Sequence, residues 1–215
     1  MKIAVPKEKW ADEARIAVSP ATVRKFTAMG FDVVVESGAG DPALISDSAL
    51  AEGGAQIAQN AALAIGEADI VLRVRRPMMP ADGGDDEILM MKPGSILIGS
   101  LAALSNPEQV ELYAKQSLTS FAMELLPRIS RAQSMDVLSS QSNLAGYKAV
   151  LDAAHEYPRA FPMMMTAAGT VPPAKVLVLG AGVAGLQAIA TARRLGAVVS
   201  AYDVRPVVKE QVESL

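Results

Sequence analysis

Residues 175–206 have the sequence KVLVLGAGVAGLQAIATARRLGAVVSAYDVRP, and this stretch decides the fold. Val176–Leu179 is continuously apolar and is predicted as a buried β-strand. A glycine-rich turn follows, and the next segment, Ala184–Leu195, is predicted as a helix that Gly196 terminates. Val198–Tyr202 is predicted as a second strand. The order of strand, turn, helix and strand indicates a βαβ unit of a parallel sheet.

The turn GAGVAG has the glycine spacing of dinucleotide-binding sites. In that pattern Gly180 permits the tight turn, Gly182 lets the backbone approach a pyrophosphate, and Gly185 lets the helix pack closely on the strand. The free amides and partial positive charge of the helix N-terminus favour phosphate. The predicted cofactor-binding residues of the turn are Gly180, Ala181, Gly182, Val183 and Gly185.

A carboxylate closes the second strand, and an arginine follows it. Asp203 lies about 20 residues after the first glycine, where an acidic residue accepts from the adenosine ribose and repels a 2′-phosphate. Arg205 complicates the choice of cofactor, because a guanidinium there suits the 2′-phosphate of NADP, although it is also explained as a surface arginine. We predict that both residues bind the cofactor and that Asp203 selects NAD. The structural alternative is a glycine-rich turn that binds nothing.

The composition bounds the class of protein. The chain has 215 residues, of which 51% are hydrophobic and 4% aromatic, a mix that suits parallel sheets covered by helices. The absence of cysteine excludes disulfides, thiolate metal sites and cysteine nucleophiles. A net charge of -3 and a pI of about 5.3 argue against a nucleic-acid partner. The N-terminal stretch MKIAVPKEKW is too charged for a signal peptide, and we expect a soluble chain.

Upstream of residue 135, short apolar runs alternate with helical segments. Predicted strands cover Lys2–Val5, Asp32–Glu36, Ala68–Leu72 and Ser95–Ile98. Ser19 is a predicted N-cap, and the helix Pro20–Met29 follows it and ends at Gly30. Asn106 and Gln109 predict a capping box at the start of another helix.

The pattern as a whole predicts an α/β fold with two Rossmann-like parallel-sheet domains, the second incomplete. Met135–His155 is predicted as a long helix, and Tyr157–Ala174 as a connection. The expected boundaries are 1–135 for an N-terminal α/β domain, 136–174 for the linking helix and connection, and 175–215 for a partial NAD-binding domain. Such a sheet normally has five or six strands, so we expect an uncovered edge and face, and a chain that is truncated or completed by another polypeptide.

Three groups of side chains are candidates for chemistry. His155 is the only histidine and is explained most simply as a solvated helix residue. The basic cluster Arg73–Arg76 follows a strand, and arginine there anchors an anion but does not act as acid or base; a solvated basic loop is the alternative. The polar segment Leu126–Asn143 suits a nicotinamide carboxamide or ribose, but its composition alone favours a polar loop with a helix N-cap.

Several stretches together resemble one family. They are Lys7-Glu8, ARIAVSP (14–20), PRISRAQSMDVLSSQSNLAGYKAV (127–150) and the GAGVAG unit that ends in YDVRP. They are similar, over essentially the whole chain, to the NAD(H)-binding domain in the α subunit of the proton-translocating NAD(P) transhydrogenases. Alanine dehydrogenase is the near relative, but Ala102 stands where it has a catalytic histidine, and its substrate lysine is replaced within Arg73–Arg76.

The resemblance implies roles for the polar segment. It places Gln133 nearest the nicotinamide held by a partner domain. It gives Asp136 and Ser139 the task of orienting the ring and ribose of NADH. Arg128 would be their partner, and Tyr147 would border the cleft. The implied catalytic residues are Arg128, Gln133, Asp136 and Ser139.

The resemblance also implies an activity and partners. NADH bound here would pass hydride to NADP⁺ on an NADP(H)-binding component, beside a membrane-spanning component. The chain would form a homodimer at the cytoplasmic face of the bacterial inner membrane. Two alternatives stay open: an alanine dehydrogenase type that acts through Arg15 and Arg75, and a nucleotide-binding or assembly module without activity of its own.

Overall fold

The computed structural model describes residues 1–215, which form two compact units, Met1–Met135 and Asp136–Leu215. The first unit is built on a six-stranded parallel sheet of order β3-β2-β1-β4-β5-β6. Its strands are β1 (Lys2–Val5), β2 (Asp32–Glu36), β3 (Gln56–Ala58), β4 (Ile70–Arg75), β5 (Ile96–Ser100) and β6 (Thr119–Ala122). Its helices are α1 (Pro20–Ala28), α2 (Asp47–Glu52), α3 (Ala61–Ile65), α4 (Glu87–Met90) and α5 (Pro107–Lys115).

Local signals place the first helix where the sequence predicts it. Ser19 caps α1 by accepting a hydrogen bond from the Thr22 amide at 3.2 Å, and Pro20 lies in the first turn. Gly30 follows the helix with a φ of +86°, a conformation that costs glycine little. The cap and the terminating glycine thus fix both ends of α1.

Other details of this unit differ from the prediction. The predicted capping box is wrong, because the Asn106 side chain accepts no cap hydrogen bond. The side-chain amide of Gln109 donates instead to the Pro77 carbonyl oxygen at 2.8 Å. Strands β4 and β5 end later than predicted, at Arg75 and Ser100. Helices α2, α3 and α4 and strands β3 and β6 were not predicted at all; each is six residues long or shorter.

A buried core lies on each face of the six-stranded sheet. Ile3 and Val5 belong to one cluster, and Ala4 belongs to the other, because successive strand residues point to opposite faces. Both faces are therefore apolar and covered. This arrangement explains why the strands are continuous apolar runs and do not alternate with polar residues.

The second unit is smaller. It contains α6 (Val137–Glu156), α7 (Val183–Arg194) and α8 (Lys209–Glu213). Strand β9 (Lys175–Leu179) pairs in parallel with β10 (Val198–Tyr202), and β7 (Met164–Thr166) forms an antiparallel hairpin with β8 (Gly169–Val171). Helices and parallel sheets in both units confirm the predicted α/β class. The second parallel sheet has only two strands.

Helix α6 packs closely on α7 within this unit. A Cβ added at Gly146 would lie 2.1 Å from the Ala184 carbonyl oxygen, so only glycine allows this approach. The side chains of Leu144 and Tyr147 on α6 are exposed, whereas Gly146 and Val150 are buried. Contact between the helices thus depends on small residues.

One face of the two-stranded sheet is bare. The prediction that Val176–Leu179 is buried throughout is wrong, because Leu177 is 63% exposed and Leu179 is 73% exposed. Val176 on the opposite face packs into a core cluster. An uncovered face was expected, and the structure shows it. The predicted connection also contains the hairpin β7–β8, which the sequence analysis missed. No helix combines the length and the hydropathy that crossing a lipid bilayer requires.

Candidate functional site

The glycine turn joins β9 to α7 in the second unit. Gly180 has a φ of +95°, and its amide donates to the Tyr202 carbonyl oxygen at 2.7 Å. A Cβ at Gly185 would lie 1.8 Å from the Gly180 carbonyl oxygen, so the start of the helix is pressed against the turn. The first and third glycines are therefore required by backbone conformation and by packing.

The middle glycine faces open space. Gly182 is the N-cap of α7 and supplies no side-chain cap, and a Cβ added there meets no atom within 4 Å. The amides of the first helical turn, which begins at Val183, have no partner within the helix. A helix of 12 residues also carries a partial positive charge at this end. The arrangement can receive an anion such as a phosphate.

Asp203 ties the turn to the end of β10. Its Oδ2 accepts a hydrogen bond from the Ala181 amide at 2.7 Å. Its two oxygens also accept from the Arg205 guanidinium, with Nε and Nη2 each at 3.0 Å. These bonds hold the pKa of the Asp203 carboxyl well below its ordinary value, the Arg205 side chain contributing most. The carboxylate is therefore ionised beside the glycine turn.

A cavity of about 390 Å³ adjoins this carboxylate. Asp203 and Arg205 form part of its wall, together with Val208 and Val212 from the segment that follows β10. Lys209 also lines it, and its Nζ lies 3.7 Å from Glu213. The volume is in the range of small-molecule sites. No sequence motif marks Val208, Val212 or Lys209 as binding residues, although the four-residue spacing of Val208 and Val212 indicates one helix face.

Two of the polar residues form a cap at the start of α6. Asp136 Oδ1 accepts from the Ser139 amide at 2.8 Å, and Oδ2 accepts from the Ser139 hydroxyl at 2.6 Å. The alternative that the sequence left open, a helix N-cap, therefore describes Asp136. Tyr147, about three turns after Asp136 on the same helix, is 47% exposed. These residues belong to the second unit, as does the glycine turn.

The other two polar residues lie in the first unit. Gln133 is in a 3₁₀ helix, Ser130–Met135, and Arg128 precedes it; both side chains are exposed. The structure thus divides the four predicted catalytic residues, with Arg128 and Gln133 in one unit and Asp136 and Ser139 in the other. Their roles stay predictions.

The basic cluster at the end of β4 is neither a solvated loop nor a free anion anchor. Arg73 is buried, with Nη2 at 3.1 Å from Glu8 Oε2 and Nη1 at 2.9 Å from Glu87 Oε2. Arg75 and Arg76 each stack on the Trp10 ring, with the guanidinium carbon 4.5 Å from the ring centroid. The cluster is engaged within the protein itself, and both interpretations offered from the sequence are corrected on this point.

Arg75, Arg76 and Arg15 are each paired with a carboxylate as well. Arg75 donates to Asp12 at 2.8 Å, and Arg76 donates to Asp82 at 2.7 Å. Arg15 donates from Nε to Oε1 of Glu13 and from Nη2 to Oε2, each at 2.6 Å. The structure therefore holds the two arginines of the alanine dehydrogenase alternative, Arg15 and Arg75, on its own carboxylates.

Position 102 carries no acid–base side chain, and the only histidine, His155, lies on another element. Ala102 lies just after β5 in the left-handed region, with a φ of 49°, and the amides on either side of it donate to Glu124 at 3.0 and 3.1 Å. His155 is exposed in the last turn of α6. The simpler interpretation of His155 fits this placement.

Family models match nearly the whole chain. The N-terminal domain of alanine dehydrogenase/PNT matches residues 4–145, and the C-terminal domain matches residues 149–215. The chain belongs to the alanine dehydrogenase/PNT family. The resemblance drawn from the sequence motifs is confirmed.

Relatives within this family differ in similarity. An NAD(P) transhydrogenase subunit alpha polypeptide of Rhodospirillum rubrum is 62% identical over 215 residues, which are 100% of this chain and 56% of the relative. The crystal structure of transhydrogenase from Sinorhizobium meliloti is 55% identical with a TM-score of 0.94, covering 100% of this chain and 62% of that one. Alanine dehydrogenase of Mycolicibacterium smegmatis is 30% identical over 207 residues, 95% of this chain and 54% of the relative.

The chain spans about half the length of the curated relatives it matches. Within the alanine dehydrogenase/PNT family it is much more similar to the transhydrogenase subunits than to alanine dehydrogenase. The arginines that are engaged internally and the alanine at position 102 agree with that order of similarity.

Proposed function

We propose that the chain is the NAD(H)-binding component of a proton-translocating transhydrogenase, in which hydride passes between NADH bound here and NADP⁺ held by a partner domain. One observation carries the proposal: an uncapped helix N-terminus at Gly182 opens beside an ionised carboxylate, Asp203. An anion site next to a hydrogen-bond acceptor is what the pyrophosphate and adenosine ribose of a dinucleotide require. The names of two similar proteins, the Rhodospirillum rubrum subunit and the Sinorhizobium meliloti transhydrogenase, support the same conclusion.

The residues of the second unit fit such a ligand. The amides that follow Gly182 would bind the pyrophosphate, and the open space in front of this glycine admits it. Asp203 would accept from the adenosine ribose, and the apolar wall formed by Val208 and Val212 suits the adenine ring. The family resemblance assigns Asp136 to the nicotinamide end. NAD(H) is thus the dinucleotide that we propose for this chain.

The proposed chemistry needs no acid or base. Hydride passes from one dihydronicotinamide ring to one nicotinamide ring, and no proton moves at the reacting carbons. The protein then contributes by positioning the rings and excluding water. The paired side chains of Asp136 and Ser139 are suited to positioning. A polar loop without a histidine at its centre is compatible with this reaction.

The alternative of an alanine dehydrogenase type is disfavoured above all by the residue at position 102. A small amino or keto acid needs a free cation for its carboxylate and a proton donor beside the reacting carbon. Ala102 offers no proton, and the guanidinium groups of Arg15 and Arg75 would first have to leave Glu13 and Asp12. This alternative predicts oxidation of NADH by pyruvate and ammonia without NADP(H), and we expect no such reaction.

The assembly around the chain belongs to the proposal as well. We propose an NADP(H)-binding component and a membrane-spanning component as partners, a homodimer of this chain, and a place at the cytoplasmic face of the bacterial inner membrane. Residues 1–135 would present Gln133, residues 136–174 would link the two domains, and residues 175–215 would hold the adenosine half of NADH. The 215 residues alone are expected to bind nucleotide or assemble without catalysing transfer.

Replacement of Gln133 tests the proposed hydride-transfer loop. Gln133→Asn shortens the side chain that is assigned to the nicotinamide contact, so hydride transfer slows by at least ten-fold while the Kd for NADH changes about two-fold or less. The rate is measured by stopped flow with the intact gene product and its NADP⁺-loaded partner, and the Kd by NADH fluorescence.

The matched control is Gln56→Asn, which makes the same change at an exposed position on β3. It leaves both quantities unchanged. A wild-type transfer rate in the Gln133 variant would defeat the assignment of the loop. Absence of NADH binding in the wild-type protein would defeat the function itself.

A further inference from the structure

The carboxylate of Asp203 has no acceptor site to spare. Oδ1 accepts from the Arg205 amide at 2.8 Å and from Arg205 Nε at 3.0 Å. Oδ2 accepts from the Ala181 amide at 2.7 Å and from Arg205 Nη2 at 3.0 Å. A carboxylate has about four lone-pair positions, and four donors fill them. A ribose hydroxyl can bind Asp203 only if one of these donors leaves.

The donors differ in how easily they leave. The Ala181 amide is fixed by the glycine turn, and the Arg205 amide belongs to the backbone that follows β10. The Arg205 guanidinium is carried by a long side chain that is 55% exposed, whereas the Asp203 side chain is 8% exposed. Because the guanidinium end of the pair is exposed, water can replace its contacts when it leaves. The guanidinium is the donor that a ligand can displace.

We propose that Arg205 is a specificity-determining residue that occupies Asp203 in the free protein and is displaced by the adenosine ribose of NADH. The inference rests on the proposed NAD(H) site and deepens it. The pair lines the cavity beside the glycine turn, so the exchange takes place where the adenosine half would bind.

The same pair excludes NADPH in two coupled ways. The carboxylate repels a 2′-phosphate, and it also retains the guanidinium that would otherwise bind that phosphate. A simpler hypothesis is that the charge of Asp203 alone excludes NADPH and that Arg205 has no effect on the choice of cofactor. The two hypotheses differ in whether the effects of the two residues on NADPH binding are additive.

A double-mutant cycle separates the hypotheses. Dissociation constants for NADH and NADPH are measured by nucleotide fluorescence on the intact gene product as wild type, Asp203→Asn, Arg205→Met and the double variant. Asp203→Asn releases the guanidinium and strengthens NADPH binding about ten-fold. In the Arg205→Met background the same change strengthens NADPH binding by about three-fold or less, because it removes the repulsion between carboxylate and phosphate but releases no cation.

The single variant Arg205→Met gives a second test, in which the affinities for NADH and NADPH change in opposite directions. It frees two acceptor positions on Asp203, so NADH binds about two- to five-fold more tightly while NADPH binds more weakly. Lys209→Met is the matched control, since it removes a positive charge from the same cavity without freeing an acceptor. NADH affinity does not rise in that variant.

Additive effects of the two substitutions on NADPH binding would overturn the inference, and so would weaker NADH binding in Arg205→Met. The second result remains decisive if Asp203→Asn does not fold. Tight NADH binding by the wild type with additive variants rejects the role of Arg205 only. Absence of NADH binding by the wild type rejects the proposed function and the inference with it.

Discussion

The two units of the chain differ in how deeply their charged pairs and their apolar strand residues are buried. In the first unit, a six-stranded sheet is covered on both faces and its central arginine, Arg73, is buried between two glutamates. In the second unit, a two-stranded sheet leaves Leu177 and Leu179 exposed, and the helix that begins at Val183 has no side-chain cap. Arg73 thus has its partners within the first unit, whereas the amides at the start of α7 in the second unit lack a side-chain cap and can bind a ligand.

The ion pairs of the two units show the same contrast. Burial raises the pKa of Glu8, and the neighbouring Arg73 lowers it only in part. In the second unit the hydrogen bonds from Arg205 dominate and lower the pKa of Asp203. A buried charge is held because its partner cannot leave, and an exposed pair can exchange its partner for a ligand. Proximity of opposite charges thus has a structural role in one unit and a binding role in the other.

The largest effect is expected from breaking the buried group. Arg73→Met fills a similar volume but leaves Glu8 and Glu87 as neighbouring carboxylates without their shared cation. Loss of one member of a buried pair costs about 3–5 kcal/mol. We expect this decrease in the unfolding free energy of the first unit, measured by urea denaturation.

The corresponding change in the second unit is Arg205→Met. It removes the same kind of side chain from an exposed pair and leaves the unfolding free energy nearly unchanged. Equal losses in the two variants would break the contrast between a structural pair and an exchangeable one.

The sequence predicted what depends on local order. The apolar run at Val33–Val35, the serine before Pro20 and the glycine at position 30 act within a few residues, and strand β2 and helix α1 form where these signals lie. The glycine turn was also predictable, because the spacing of its three glycines is set by the backbone geometry of one strand, one turn and one helix.

The contacts of Arg73 were not predictable in this way. Its partners Glu8 and Glu87 are far from it in sequence, and three arginines at a strand end have the composition of a solvated loop. Exposure of Leu177 was missed for a related reason. An apolar sequence shows that a strand is suited to burial, but whether its side chains are buried depends on which helices and strands pack over it. Long-range partners decide both cases.

A smaller effect separates structural glycines from ligand-facing ones. In Gly185→Ala the new Cβ would lie 1.8 Å from the Gly180 carbonyl oxygen, so the backbone of the turn has to move. We expect a loss of about 2–3 kcal/mol in the unfolding free energy of the second unit, since overpacking against backbone is costly. Thermal unfolding followed by circular dichroism measures it.

Gly182→Ala is the companion variant. Its Cβ meets no protein atom within 4 Å, so stability stays within about 0.5 kcal/mol of the wild type while NADH binding weakens, because the methyl group enters the proposed pyrophosphate space. If Gly182→Ala were as destabilising as Gly185→Ala, the open space in front of the turn would have a structural role and the binding assignment would fail.

The smallest effect is expected on the bare face of the two-stranded sheet. Leu177→Ala removes three carbon atoms, a truncation that costs about 2–5 kcal/mol in a core. Leu177 is 63% exposed, so we expect a change of about 0.5 kcal/mol or less in the 215-residue chain, measured by urea denaturation.

Val176→Ala is the control on the adjacent residue of the same strand. It removes only two carbon atoms, but Val176 packs into the core cluster with Ala188 and Val199, and we expect a cost of about 1–2 kcal/mol. We therefore expect Val176→Ala to lose more stability than Leu177→Ala, although it removes fewer atoms. A Leu177 variant that loses more stability than the Val176 variant would mean that this face is covered in solution. Repeating the measurement at several protein concentrations would then show whether a second copy of the chain covers it, because only a bimolecular contact makes the loss depend on dilution.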